Sequence, residues 1–115
     1  MQQDCIFCRI VNREIPTKII YEDEYVIAFP DINPAAPVHV LVIPKRHIDN
    51  ITEVDGKDAP LLGHIMTVIP RIAAEVGIAD EGFRTVVNTK DNGGQTVHHL
   101  HFHLLGGRFM EWPPG

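Results

Sequence analysis

The stretch Thr96-Val97-His98-His99-Leu100-His101-Phe102-His103-Leu104-Leu105 places four of the chain's seven histidines within six residues. Read as a β-strand over 98–105, it sends alternate side chains to opposite faces. His99, His101 and His103 then share one face, and His98, Leu100, Phe102 and Leu104 share the other. The second set is mostly apolar and suits a core. The first is a row of imidazoles that is costly to bury without partners, and core packing gives no reason to select it. The row marks a site rather than a scaffold. Three readings fit it: structural or surface histidines, a metal centre, or a nucleophilic and acid–base centre in which a neighbour fixes the reacting nitrogen. Spacing alone does not separate the last two.

Upstream of the row, Lys90 to Gln95 read as a loop. Gly93-Gly94-Gln95-Thr96 offers unobstructed backbone N–H groups and a hydroxyl, a turn able to form an anion-binding nest. Beside three histidines it points to phosphoryl chemistry. Phe83 to Asn88 is a strand. Before it, Leu61, Leu62, Ile65, Met66, Ile69, Ile72, Ala73 and Val76 follow helical spacing, which predicts a long helix from Asp58 to Val76 stopped by Gly77. Pro60 suits its first turn, and Pro70 predicts a kink. Val38 to Ile43 is a strand ended by Pro44, with His39, Leu41 and Ile43 on one face. Residues 30–37 are a proline-punctuated loop. Residues 18–22 and 25–29 read as a hairpin, and residues 5–12 as a short helix with Asp4 as N-cap. The order α, β, β, β, α, β, β predicts an α+β domain: a mainly antiparallel sheet of about five strands, a short N-terminal helix and one long helix.

The 115 residues suit a single domain, 1–115, and the net charge of −5 argues against polymeric nucleic acid as a partner. A small phosphorylated ligand remains compatible, because local N–H donors can hold it. No apolar run approaches the ~20 residues of a membrane span. Met1-Gln2-Gln3-Asp4 lacks the features of a signal peptide, so a cytoplasmic protein without membrane association is the expectation. The only cysteines form the pair Cys5-x-x-Cys8. In a reducing compartment that leaves metal binding, redox chemistry or no role.

The segment Gly94 to Arg108 strongly resembles the signature of the histidine-triad (HIT) superfamily, whose core alternates three histidines with apolar residues. Cys5-Ile6-Phe7-Cys8-Arg9-Ile10, Phe29-Pro30-Asp31-Ile32, His39-Val40-Leu41-Val42-Ile43-Pro44-Lys45 and Trp112-Pro113-Pro114-Gly115 resemble its HINT branch, so the likeness spans nearly the whole chain. The resemblance implies a homodimeric purine nucleoside phosphoramidase that cleaves P–N bonds in AMP-type amidates through a covalent nucleotidyl-histidine. By carry-over, His101 is the nucleophile, His99 orients it, and His103 and His39 complete the imidazole cluster. Thr96 stands where the family usually has serine. Asn88, Gly94, Gln95 and Val97 would place the phosphate, Asp31 would accept from the ribose hydroxyls, and Ile6, Phe7, Phe29, Ile32 and Leu41 would enclose the base. Those apolar residues read equally as ordinary core by position. No cofactor is implied for catalysis. Some relatives complete a structural zinc site from a Cys pair and two histidines, which here would be Cys5, Cys8, His47 and His99. A dinucleoside polyphosphate hydrolase, a nucleotide-binding regulatory module and a zinc-dependent hydrolase are the competing readings. His98 stands where an aromatic residue is common and is expected to face away from the triad.

Overall fold

In the computed structural model, residues 4–115 are described; Met1, Gln2 and Gln3, part of the N-terminal segment read above, lie outside the described residues. Five strands form one antiparallel sheet: β1 (Tyr21–Glu22), β2 (Val26–Pro30), β3 (Val38–Pro44), β4 (Phe83–Val86) and β5 (Phe102–Gly106). Their spatial order is β1-β2-β3-β5-β4, so the histidine-bearing β5 lies between β3 and β4. The α+β architecture expected from the sequence is the one observed.

Alternation in the central strands sorts the core into two layers. Val26, Ala28, Val40, Val42, Phe102 and Leu104 pack with Ile65, Val68, Ile69 and Ile72 of helix α2 (Ala59–Glu75). On the other face, Ile27, Phe29, Leu41 and Ile43 pack with Phe7 and Ile10 of helix α1 (Ile6–Val11). Register then decides where the site lies. Leu41 pairs with His103 and His39 with Leu105, so β3 and β5 deliver both histidines to the α1 face. At the end of β5, a Cβ on Gly106 would fall 2.7 Å from Cδ1 of Ile78, a close approach that only glycine permits there.

Several local expectations need correction. The N-cap of α1 is Cys5, not Asp4: the Cys8 N–H donates to Cys5 Sγ at 3.3 Å. Helix α2 is one continuous helix with Pro70 inside it, and Pro70 is exposed, as is Met66 at 54%. Met66 is therefore outside the buried stripe, and Val68 is in it. The Lys90–Gln95 loop contains a short helix, α3 (Lys90–Gly93), closed by Gly94 in the left-handed region at φ 77°. No helix among the described residues is long and apolar enough to cross a membrane.

Candidate active site

The largest departure from the sequence reading concerns the histidine row. Strand β5 begins only at Phe102, and residues 97–99 form a bend. The backbone there bonds elsewhere: the Leu100 N–H donates to the Ile48 carbonyl at 2.6 Å, and the His99 carbonyl accepts from its neighbour's ring, His101 Nδ1–H, at 2.7 Å. Leu100, Phe102 and Leu104 still point into the α2 core, as alternation requires. His99 and His103, however, now serve two separate clusters with His101 between them. His98 is exposed and belongs to neither cluster.

The first cluster joins Cys5, Cys8, His47 and His99, whose potential ligand atoms all lie within 4.8 Å of one another. Cys8 Sγ is 3.2 Å from His47 Nδ1 and 3.5 Å from His99 Nδ1, and Cys5 Sγ is 3.3 Å from His99 Nδ1. Tetrahedral zinc with ordinary Zn–S and Zn–N bonds places sulfur and nitrogen ligands about 3.6 Å apart. The network also assigns the tautomers. His99 Nε2–H donates to the Pro44 carbonyl at 2.8 Å and His47 Nε2–H to Asp49 Oδ1 at 2.6 Å, so both Nδ1 lone pairs face the sulfurs. Burial pushes His99 down to about 4, with the bond to Pro44 working against it and His47 and His101 adding to it. Burial also pushes the Cys8 thiol up to about 11, helped by the neighbouring Cys5; a bound cation would reverse that shift. The donor set and its outer partners fit a four-coordinate divalent metal.

The second cluster has different bookkeeping. The Ala35 N–H donates to His39 Nδ1 at 3.0 Å, so the proton of this ring sits on Nε2 and is given to His103 Nδ1 at 2.9 Å. His103 must then carry its proton on Nε2, which is buried and has no hydrogen-bond partner. That atom is a donor waiting for an acceptor. Asp31 Oδ2 lies 3.5 Å from His39 Nε2, and Asp31, His39 and His103 cluster closely enough to suggest a second metal centre. The tautomers argue against one, because both nitrogens of His39 are already committed. In His101 the carbonyl of His99 can only accept, so the proton is on Nδ1 and the lone pair on Nε2. Burial lowers His39, His101 and His103, the last to about 4, which keeps all three imidazoles neutral near pH 7. Phe7 stands edge-on to His101 at 5.2 Å between ring centroids and helps to exclude water.

His101 and His103 open onto a cavity of about 570 Å³, which His39 does not line, walled by ten of the sequence-selected residues: Ile6, Phe7, Phe29, Asp31, Ile32, Leu41, Thr96, Val97, His101 and His103. Ile32 is 90% exposed and stands at its rim. Asn88, Gly94 and Gln95 do not line it. Gln95 is buried instead in the loop, bonded to the Asp49 and Val97 carbonyls and to the Lys90 N–H. Sequence reasoning missed Ile10, Ile15, Pro16, Thr17, Lys18, Pro30 and Asn33, which complete the wall. The hairpin strand expected from residue 18 begins only at Tyr21, which leaves residues 16–18 free to form a rim. A larger cavity, about 840 Å³, lies by Tyr25, Lys45, Arg46 and His64. Its Lys45 and Arg46 are paired with Glu22 and Asp58, and it holds no imidazole cluster, so chemistry favours the smaller one.

The signature of the HIT domain family matches residues 12–110. The chain is 54% identical, over the full length of both, to an uncharacterised HIT-like protein of Synechococcus elongatus. It is 46% identical to the purine nucleoside phosphoramidase of Escherichia coli, covering 94% of this chain and 91% of that one. The crystal structure of a HIT family hydrolase from Legionella pneumophila superposes with a TM-score of 0.94 at 47% identity, covering 96% of this chain and 99% of that one. With its fold, its histidine segment and its relatives in agreement, the chain belongs to the HIT family.

Proposed function

We propose that the protein hydrolyses the P–N bond of purine nucleoside phosphoramidates, AMP or GMP amidates, through a nucleotidyl-His101 intermediate. One observation carries this reading: His101 is neutral, its Nδ1–H is held by the His99 carbonyl, and its Nε2 lone pair belongs to a ring lining the cavity. Nε2 attacks the α-phosphorus, the P–N bond breaks, and the amine departs with a proton drawn from solvent, which the water of the second step returns. Water then cleaves the P–Nε2 bond, releasing the nucleoside monophosphate and restoring the imidazole. The free His103 Nε2–H is aimed to stabilise charge on the phosphoryl oxygens. Thr96 is the hydroxyl nearest in sequence to this centre and lines the same cavity. Asp31 suits the ribose: it lines the cavity, its Oδ1 accepts from the Asn33 N–H, and its Oδ2, 3.5 Å from His39 Nε2, can still accept from a hydroxyl. The apolar walls from Phe7, Phe29 and Leu41 suit a flat base. The E. coli relative supports the substrate class.

The mass of the intact protein after brief incubation with an AMP-amidate tests substrate and mechanism together. An increase of one adenylyl group, absent in His101→Ala, is expected; turnover with no adduct and an active His101→Ala would sink the assignment.

The first cluster supports a second part of the proposal, a structural zinc on Cys5, Cys8, His47 and His99. Bound there, the metal would supply no chemistry to the substrate and would brace His99, whose carbonyl orients His101. We also propose a cytoplasmic homodimer without polymeric nucleic acid or membrane as partner. The exposure of Phe109 (85%) and Trp112 (80%) near the C-terminus supports the dimer, and sedimentation at assay concentration tests it.

A further inference from the structure

We propose that Asp49 and Gln95 form a strut that transmits the state of the Cys5–Cys8–His47–His99 cluster to the loop carrying Thr96, which makes Gln95 a positioning residue for the substrate cavity. The proposal rests on the metal reading of that cluster and is independent of the phosphoramidase reading.

Asp49 faces two ways. Its side chain accepts from His47 Nε2–H at 2.6 Å, while its backbone carbonyl accepts from Gln95 Nε2–H at 2.7 Å. The same Gln95 amide donates its other hydrogen to the Val97 carbonyl at 3.0 Å, and its Oε1 accepts from the Lys90 N–H at 2.9 Å. Gln95 is only 7% exposed, so each of these bonds replaces water that cannot reach it. Both amide hydrogens are used, and the only other side chain with two donors and an acceptor in one plane, asparagine, is a methylene shorter. Lys90 sits in the left-handed region at φ 58°, unusual for a residue with a side chain, and Gln95 holds its N–H there. The amide therefore fixes both ends of the 90–97 loop on Asp49.

The residues on the far side of the strut are shared between two spaces. Thr96 and Val97 line the substrate cavity and also a smaller one, of about 330 Å³, beside Cys5, His47 and Asp49. The neighbour of Asp49 makes a parallel connection, since the Ile48 carbonyl accepts from the Leu100 N–H between His99 and His101. Motion of the His47 ring thus reaches the cavity wall through Asp49 and Gln95, and coordination of that ring removes the motion. Metal loading and loop order are then coupled, and the coupling is reciprocal.

The experiment is hydrogen–deuterium exchange of the full-length protein with and without saturating Zn²⁺, read over the amides of residues 90–97, in wild type and in Gln95→Met. Co²⁺ loading, followed by thiolate charge-transfer absorption, reports the cluster separately. In wild type, metal is expected to slow exchange in this segment by at least about fivefold, the lower end of ordinary coupling between sites. Gln95→Met should retain the cobalt absorption and lose the response. Asp49→Ala is a second variant that keeps the backbone carbonyl for Gln95 and removes the acceptor for His47. It should need about 10–100-fold more metal and, once loaded, show no slowing. Unchanged exchange in loaded wild type, or a full response in loaded Gln95→Met, overturns the strut alone. Absence of cobalt absorption in wild type overturns the metal reading and the strut with it, and the phosphoramidase reading does not depend on any of these outcomes.

Discussion

The two histidine clusters use the same side chain, lie on neighbouring residues of one segment, and are prepared for opposite chemistry. Around Cys5 and Cys8, the Pro44 carbonyl and the Asp49 carboxylate draw the proton to Nε2 of His99 and His47, so lone pairs converge on a point among the sulfurs. Around His39, a backbone N–H imposes the reverse order, and the chain Ala35, His39, His103 ends in an N–H with nothing to receive it. A converging set of lone pairs recruits a cation, whereas an outward N–H beside a neutral nucleophile recruits a phosphoryl oxygen. The partner of the distant nitrogen decides which chemistry the near nitrogen can perform.

The hardest test of that division is a crossed pair of variants. His101→Ala should lower turnover of an AMP-amidate at least about 10⁴-fold, the scale on which enzymes lose a nucleophile, while leaving metal affinity as in wild type. Cys8→Ser should do the converse: metal affinity falls by more than about 100-fold, beyond the usual cost of an outer partner, and turnover of the folded protein falls by about tenfold at most. Chelator competition and steady-state rates on the same preparations check both. If each variant damaged both properties equally, the clusters would be one site.

Within the second cluster, His39→Phe removes the group that pins the His103 tautomer and leaves the Ala35 N–H without its acceptor. We expect kcat to fall by about 10–100-fold with a smaller change in KM, because the lost interaction is made to developing charge rather than to the ground state. A change confined to KM would show that His39 only shapes the cavity.

Much of this was legible in the residues, and the part that was not has a physical reason. Alternation in Val38–Ile43 correctly put His39, Leu41 and Ile43 on one face, because strand side chains obey a period of two wherever the backbone stays in the ladder. The same rule applied to His98–Leu105 sorted the faces of Leu100 and His101, but the ladder itself begins only at Phe102: Leu100 bonds to Ile48 and His99 to the ring of His101, and no local pattern announces bonds to residue 48. Gln95 shows the same limit. The family resemblance made it a phosphate contact, yet its partners, Asp49 and Lys90, lie on either side of a fold that only the tertiary structure closes. The residue types of the site were readable; the tautomers, which depend on carbonyls and N–H groups distant in sequence, were not.

Acid should separate wild type from variants of the second cluster by stability alone. Burial, with His101 and His39 nearby, holds His103 at about 4, below its ordinary value, and His39 is lowered for the same reason. Between about pH 6.5 and 4 the unfolded chain binds protons that the folded cluster refuses, so stability is fully present above that window and falls as pH drops through it. Allowing for the partial exposure of His103, its share is on the order of 2 kcal/mol. Urea unfolding at pH 7.0 and 4.5 should therefore show a smaller loss on acidification for metal-loaded His103→Gln than for loaded wild type; an equal loss would place the sensitivity outside this cluster.

The smallest effect should come from Thr96, where the cavity meets the loop. Its side chain is exposed, lines the cavity and has no hydrogen bond among the described residues, so its hydroxyl is free to bond substrate. Thr96→Ser preserves that hydroxyl and removes a methyl that restricts χ1. Rates on a given amidate should stay within about threefold, because an exposed hydroxyl with more rotamers loses only part of one hydrogen bond. Thr96→Val, which keeps the shape and removes the oxygen, should cost about two- to tenfold, the value of one neutral hydrogen bond. The comparison becomes sharper across amines of different basicity. If the hydroxyl assists departure of the amine, the cost of Thr96→Val grows as the leaving amine becomes more basic. If it only contacts a phosphoryl oxygen, the cost is the same for all of them. A loss in Thr96→Ser as large as in Thr96→Val would mean that the methyl, by fixing the rotamer against Val97, is what positions the oxygen.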